Sequence, residues 1–200
     1  MTDFDDPDGQ RVDYRLAMRK PACANRLFEV FFDRLEAGPG RTVEDYLIVR
    51  PRQQHEDGVA GICVLPERDG QIGLMRGYRH QLDRDIWQAP AGFVEPRETA
   101  AETALRELRE ETGLTCGIDR LVSLGQFLPD AGLIEATVAL FVARGVAPLS
   151  DSGSLTHEPG VGRIVYFAPA ELMALLRTTP DMGASTLVAC FRYLALIMEG

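Results

Sequence analysis

Three carboxylates crowd one turn of the stretch GFVEPRETAAETALRELREETGL, where Glu107, Glu110 and Glu111 fall within five consecutive positions. Like charges three and four residues apart repel on a helix, so such a turn needs a reason. At about 100° per residue, Glu111 lies about 40° to one side of Glu107 and Glu110 about 60° to the other. All three therefore face one way. Ala101, Ala104, Leu105, Leu108 and Thr112 gather about 110° further round and make an apolar stripe. The acids border the core-facing side rather than oppose it. Two chemistries suit this pattern. One is a solvated acidic face, partly neutralised by Arg106 and Arg109. The other is a site for a hard divalent cation such as Mg²⁺, which prefers carboxylate oxygens and completes its shell with substrate phosphates.

The element that carries the acids is bounded by local signals. Thr99 and Glu102 form a Thr-x-x-Glu capping box, so Thr99 is the expected N-cap. Residues 100–112 hold neither Gly nor Pro and are rich in good helix formers. Gly113 stands where a left-handed C-terminal cap is expected. Upstream, strand-like segments dominate. RLFEVFFDRLEAGPGRTVEDYLIV reads as two strands around Gly-Pro-Gly, and GVAGICVLP with QIGLMRGY reads as a hairpin turned by Asp69-Gly70. Downstream, RLVSLGQF, the segment 134–145 and GRIVYFA read as strands. PAELMALLR is a short amphipathic helix opened by Pro169, and residues 184–198 form a longer apolar one. The segment between Gly145 and Gly162 is long and irregular, which inside a compact domain points to function. The order fits an α/β (α+β) chain with a mixed sheet and helices on its faces. The expected division is a tail over 1–25, a β-hairpin subdomain over 26–56 and a main domain over 57–200.

Composition narrows the partners. The chain has 200 residues and a formal net charge of -9, so a nucleic-acid backbone is not the expected partner. A small anionic substrate fits if a cation supplies local positive charge. Hydrophobic residues make up 46%, enough for a core. No apolar run approaches the roughly 18 residues of a membrane span. The acidic opening MTDFDDPDGQ is unlike a secretory signal. Cys23, Cys63, Cys116 and Cys190 are widely spaced, which suits structural thiols in a reducing cytoplasm.

Gly92, Glu98, Arg106, Glu107, Leu108, Glu110, Glu111, Gly113 and Leu114 stand in the spacing G-x5-E-x7-R-E-U-x-E-E-x-G-U, where U is a bulky aliphatic residue. This arrangement resembles the Nudix box at every fixed position, and the strand order on both sides is similar to that of Nudix hydrolases. The resemblance implies an α/β/α sandwich and hydrolysis of a diphosphate linked to another moiety, with Mg²⁺ or Mn²⁺. It implies Glu107, Glu111, Glu110 and the carbonyl of Ala91 as metal ligands, with Arg106, aided by Glu98, orienting the carboxylates. IGLMRGYRHQLDRDIWQAPAGFVE resembles the segment before the box in ADP-ribose and nucleoside-diphosphate-sugar pyrophosphatases. Arg76, Tyr78, Arg79, Trp87, Pro90, Ala91 and Gly92 match that pattern, while Gly77 stands for a common Gln and Gln88 for a common Glu. Pro129 and the PDAGLIEA stretch, with Gly132 and Glu135, match it too.

The implied substrate is ADP-ribose or a related ADP-sugar, cleaved to AMP and a sugar phosphate. Arg76, Arg79, Trp87, Gly92, Pro129 and Glu135 become candidate substrate contacts, although Arg76 and Arg79 read equally as surface strand residues and Trp87 as core. A mobile loop supplies the base in similar enzymes. That makes Glu158 the candidate here and His157 the runner-up. Alternatives are GDP-mannose, another sugar nucleotide, a nucleoside triphosphate, or a non-catalytic nucleotide sensor. Similar enzymes are homodimers joined through N-terminal strands, so a homodimer is expected.

Overall fold

The computed structural model describes residues 14–37, 40–54, 58–149 and 162–199. Chain contacts sort these into two units: residues up to Arg52 together with Asp130–Glu135, and the remainder.

The smaller unit is an antiparallel sheet of β1 (Tyr14–Ala24), β2 (Phe28–Ala37) and β3 (Thr42–Pro51), with β2 in the middle. Residues 14–24, expected in the tail, therefore form a strand. Its signal is weak because it lies at the sheet edge, is exposed almost throughout and carries register shifts at Leu16/Met18 and Pro21/Cys23. An edge is where a strand tolerates Pro21. The segment 130–135 joins β3 instead of extending the strand expected from residue 134. Val49 N–H donates to Leu133 O at 2.9 Å, and Glu135 N–H donates to Val49 O at 3.0 Å.

The larger unit is built on β4 (Val59–Arg68), whose first eight residues are buried on both faces. A near-continuous apolar run is the mark of a strand covered on both sides. β5 (Gln71–Arg79) follows through Asp69 and Gly70, both at positive φ (51° and 75°), the backbone a two-residue primed hairpin turn requires. β6 (Arg84–Gln88) pairs with β5, and β7 (Ala91–Phe93) pairs with β4. After α1 (Ala100–Thr112) come the short β8 (Leu114–Thr115), then β9 (Leu121–Phe127), β10 (Thr137–Arg144) and β11 (Ala147–Pro148), which pairs with β8. β12 (Val165–Phe167), α2 (Pro169–Thr178) and α3 (Ala184–Met198) complete the unit. The main path runs β12-β5-β4-β10-β9, with β10 parallel to β4 and antiparallel to β9. This is a mixed sheet.

Alternation along β4 divides the core. Ile62 and Val64 pack with Ala104 and Leu108 of α1, while Cys63 and Leu65 pack with α2 and α3. The result is an α/β/α sandwich, the expected fold class. Burial pushes the Cys63 thiol up to about 12 and raises that of Cys190, so both behave as inert core groups. Among the described residues, no helix is long and apolar enough to cross a membrane.

Candidate active site

The helix that carries the acids begins and ends where its sequence dictates. Thr99 Oγ1 accepts from the Glu102 N–H at 3.2 Å, and the Glu102 carboxylate accepts from the Thr99 N–H at 2.8 Å. Gly113 closes the helix in the left-handed conformation. Its fully buried side is centred on Thr103, Ala104 and Leu108, with Ala101, Leu105 and Thr112 only half-buried. Thr103 had no place in the expected apolar stripe; it is buried because its hydroxyl donates to Glu98 at 2.8 Å.

Beside this stripe lies a knot of charge. The Arg106 guanidinium reaches Glu98 through Nε (3.1 Å), Glu107 and Glu110 through Nη1 (2.8 and 3.1 Å), and the Phe93 carbonyl through Nη2 (3.2 Å). One arginine thus holds three carboxylates and ties the helix to the end of β7. Its side chain is only 16% exposed. Burial disfavours its charge, but the hydrogen bond to Glu98 and the charges of Glu107 and Glu98 outweigh that, and its pKa is raised. Burial likewise pushes the Glu98 carboxyl up, yet bonds from Arg106 and Thr103 prevail and hold it below the usual carboxylate range.

The third wall is backbone. A Cβ at Gly92 would meet Glu107 Oε1 at 1.9 Å, so the carboxylate lies against the glycine and no side chain fits there. Glu111 Oε1 stands 3.5 Å from the Ala91 nitrogen. Glu107, Glu110, Glu111 and the Ala91–Gly92 backbone therefore share one neighbourhood, walled by half-buried carboxylates. Their hard oxygens are the donor chemistry a divalent cation such as Mg²⁺ prefers. Among the described residues, no three acidic, His or Cys side chains converge on a single point as a metal cage would.

This arrangement sits inside a recognised sequence unit. The NUDIX domain pattern matches residues 55–186, more than half of the chain. The chain belongs to the Nudix family. It is a Nudix hydrolase by that match and by its relatives. It is 27% identical over 173 residues to an ADP-ribose pyrophosphatase of Bacillus subtilis (strain 168), covering 86% of this chain and 88% of that protein. It is 29% identical over 141 residues to a methanol dehydrogenase activator of Bacillus methanolicus, covering 70% and 71%. A crystal structure of an ADP compounds hydrolase shares the Nudix fold at a TM-score of 0.77 and 23% identity, covering 95% of this chain and 97% of that one.

The other expected residues fall in different places. Arg76 and Trp87 are register partners on β5 and β6, and their side chains lie on the sheet face opposite α1. There the Arg76 guanidinium stacks 5.3 Å from the Trp87 ring centroid and donates to the Asp85 carbonyl at 2.8 Å. Trp87 also meets Phe167 edge-on at 5.2 Å. Arg79 ends β5, and Pro129, half-buried, follows β9. Glu135 belongs to the N-terminal unit, where it lies 3.5 Å from Arg19 and 4.0 Å from Arg50. Glu158 and His157 lie outside the described residues.

One residue here escaped sequence reasoning. Thr186 of α3 is buried, and its Oγ1 accepts from the Ala89 N–H at 3.0 Å, anchoring the stretch that leads into Ala91. A threonine in an apolar helix gives no advance sign of that role.

Proposed function

We propose that this Nudix hydrolase is metal-dependent and cleaves the diphosphate of ADP-ribose or a related ADP-sugar, releasing AMP and a sugar phosphate. The carrying observation is the gathering of Glu107, Glu110 and Glu111 around Arg106 and the Ala91–Gly92 backbone. The substrate class is supported by the similarity to the ADP-ribose pyrophosphatase over most of both chains.

In this reading Glu107 and Glu111, with Glu110 and the Ala91 carbonyl, hold Mg²⁺ or Mn²⁺. Such a cation offsets the charge of the diphosphate and makes water more acidic. Arg106 keeps Glu107 and Glu110 on the side of the helix that borders β7. Carboxylates alone repel a diphosphate, so binding requires added positive charge. Glu158 is the proposed general base, on the resemblance of its loop. Arg76, Arg79, Trp87, Gly92, Pro129 and Glu135 are the proposed substrate contacts; without substrate Arg76 stacks on Trp87 and donates to the Asp85 carbonyl. The chain is proposed to pair with a second copy through the N-terminal sheet, where Leu16, Met18, Phe32, Val43 and Leu47 are exposed. A sedimentation mass of one 22.1 kDa chain would remove that proposal.

The test is a panel of nucleoside-diphosphate compounds with Mg²⁺, scored for released phosphomonoester. ADP-ribose is expected to be cleaved with higher kcat/KM than GDP-mannose. The reverse ranking would overturn the substrate class, and no cleavage of either would overturn the diphosphatase reading.

A further inference from the structure

Gln88 is 6% exposed, and its Oε1 is buried with no hydrogen-bond partner among the described residues. A buried amide left in that state costs about 1–3 kcal/mol, so a native site that keeps one has a use for it. Its surroundings show what made room for it. A Cβ built on Gly77 would meet Gln88 Nε2 at 2.5 Å, Cδ at 2.7 Å and Oε1 at 2.9 Å. The whole carboxamide therefore lies over the bare Cα of Gly77. The backbone of Gly77 has no positive φ, so what glycine provides there is the space that the carboxamide fills. Gly77 and Gln88 are also the two positions where this segment departs from the pattern it resembles. The two departures are in contact.

Strand register gives the direction. Gln88 pairs with Met75, and Gly77 with Ile86, so these four side-chain positions share one face of the sheet. Arg76 and Trp87 take the other face, with α2 and α3. Gly92, opposite Ile62 on β4, lies on the α1 face and touches Glu107. Gln88 and the carboxylate neighbourhood are therefore on the same side of the sheet.

The chemistry of the group limits its ligand. A carboxamide is neutral and offers an acceptor and a donor at almost identical positions. A hydroxyl also donates and accepts, and so satisfies Gln88 in either orientation. An anion engages only the donor end of the amide and a cation only the acceptor end, whereas a hydroxyl suits both. We propose that Gln88, seated on Gly77, reads a hydroxyl of the sugar beyond the diphosphate and so determines specificity for a neutral, hydroxyl-rich moiety. This rests on the ADP-sugar reading above.

The test compares ADP-ribose with the methyl ester of ADP, which has the same adenosine and diphosphate but no second sugar. Gln88→Leu removes the polarity at similar size, and Gly77→Ala displaces the carboxamide. Each variant is expected to lower the ratio of kcat/KM for ADP-ribose over the methyl ester about tenfold, the effect of one hydrogen bond of roughly 1.4 kcal/mol. Without substrate, the thermal midpoint of Gln88→Leu is expected to equal or exceed that of the parent, because an unsatisfied buried acceptor has been removed. An unchanged ratio in both variants overturns the proposal. So does a clearly lowered midpoint in Gln88→Leu, which would mean that the amide is satisfied within the fold. If the parent cleaves neither compound, the ADP-sugar reading has failed. The midpoint then still decides whether the amide is an unsatisfied group.

Discussion

Among the described residues two clusters of arginine and carboxylate occur, and they are built to different proportions. In the N-terminal unit Arg19 grips Asp33 with Nε at 2.9 Å and Nη2 at 2.8 Å, and Asp33 is 3% exposed. Arg50 and Arg52 meet Glu29, while Arg19 and Arg50 both reach Glu135. The two guanidiniums of Arg19 and Arg50 also lie against the Phe31 ring, 4.9 and 4.7 Å from its centroid. Three arginines thus face three carboxylates, and the buried ring is enclosed by their planar groups. At the Nudix box one arginine faces Glu98, Glu107 and Glu110 together, with Glu111 a turn away. Charge of the same two kinds is balanced in one region and lopsided in the other. A balanced network centred on the buried Asp33 holds a sheet in register, whereas a cluster of acids around a single arginine invites a further cation.

Activity separates the two clusters most sharply. Glu111→Gln keeps nearly the same shape and removes one negative charge from the lopsided cluster. With Mg²⁺ present it is expected to lower kcat by at least about a hundredfold, while circular dichroism shows the fold intact. A loss of similar size is expected for Glu158→Gln if that residue is the general base. Glu111→Gln turnover within a few-fold of the parent would mean that the cluster is a charged surface like any other.

Stability is the next largest difference. Removing one partner of a desolvated pair leaves an uncompensated charge. Asp33→Ala leaves Arg19, 29% exposed, with only Glu135 and is expected to cost about 1–2 kcal/mol by denaturant titration. Turnover per folded molecule should hold. Arg106→Ala leaves three carboxylates facing one another and is expected to cost about as much, with turnover lost as well. Equal catalytic damage from both variants would erase the distinction between a structural and a functional network.

These clusters were not equally legible in the sequence. α1 could be read from cap to cap because Thr99, Glu102 and Gly113 act on backbone groups within a turn of themselves. α3 also runs over the expected residues, since its apolar character and flanking Gly183 are local. The box acids could be placed on one side by helical geometry alone. What sequence could not show depends on register between strands. Gln88 meets Gly77 only because β5 and β6 pair as they do, and Thr186 reaches Ala89 across 97 residues of chain. β1 escaped notice because an exposed edge strand with two register shifts has no clean alternation. The balanced cluster of the N-terminal unit was invisible for the same reason. It takes three strands and the returning 130–135 segment to bring its six charges together.

The smallest expected effect probes how tightly the lopsided cluster is held. Glu98 accepts from both Arg106 and Thr103, and these bonds hold its carboxyl below the ordinary value of 4.5 despite burial. A carboxyl depressed in the folded state stabilises the fold above its unfolded pKa. That contribution fades as the pH falls through the folded value. Glu98→Gln removes the charge at every pH. The parent should therefore melt at a higher temperature than the variant near neutrality, and the gap should narrow as the pH is lowered below 4.5. The gap should be modest, because the Glu98 side chain is 25% exposed and water screens part of the interaction. A gap that stays constant from neutral to acid pH would show that Glu98 acts through shape and its bond to Thr103, leaving Arg106 to Glu107 and Glu110. The box would then have one arginine facing two carboxylates, closer in proportion to the N-terminal network, and the contrast between the two clusters would weaken accordingly.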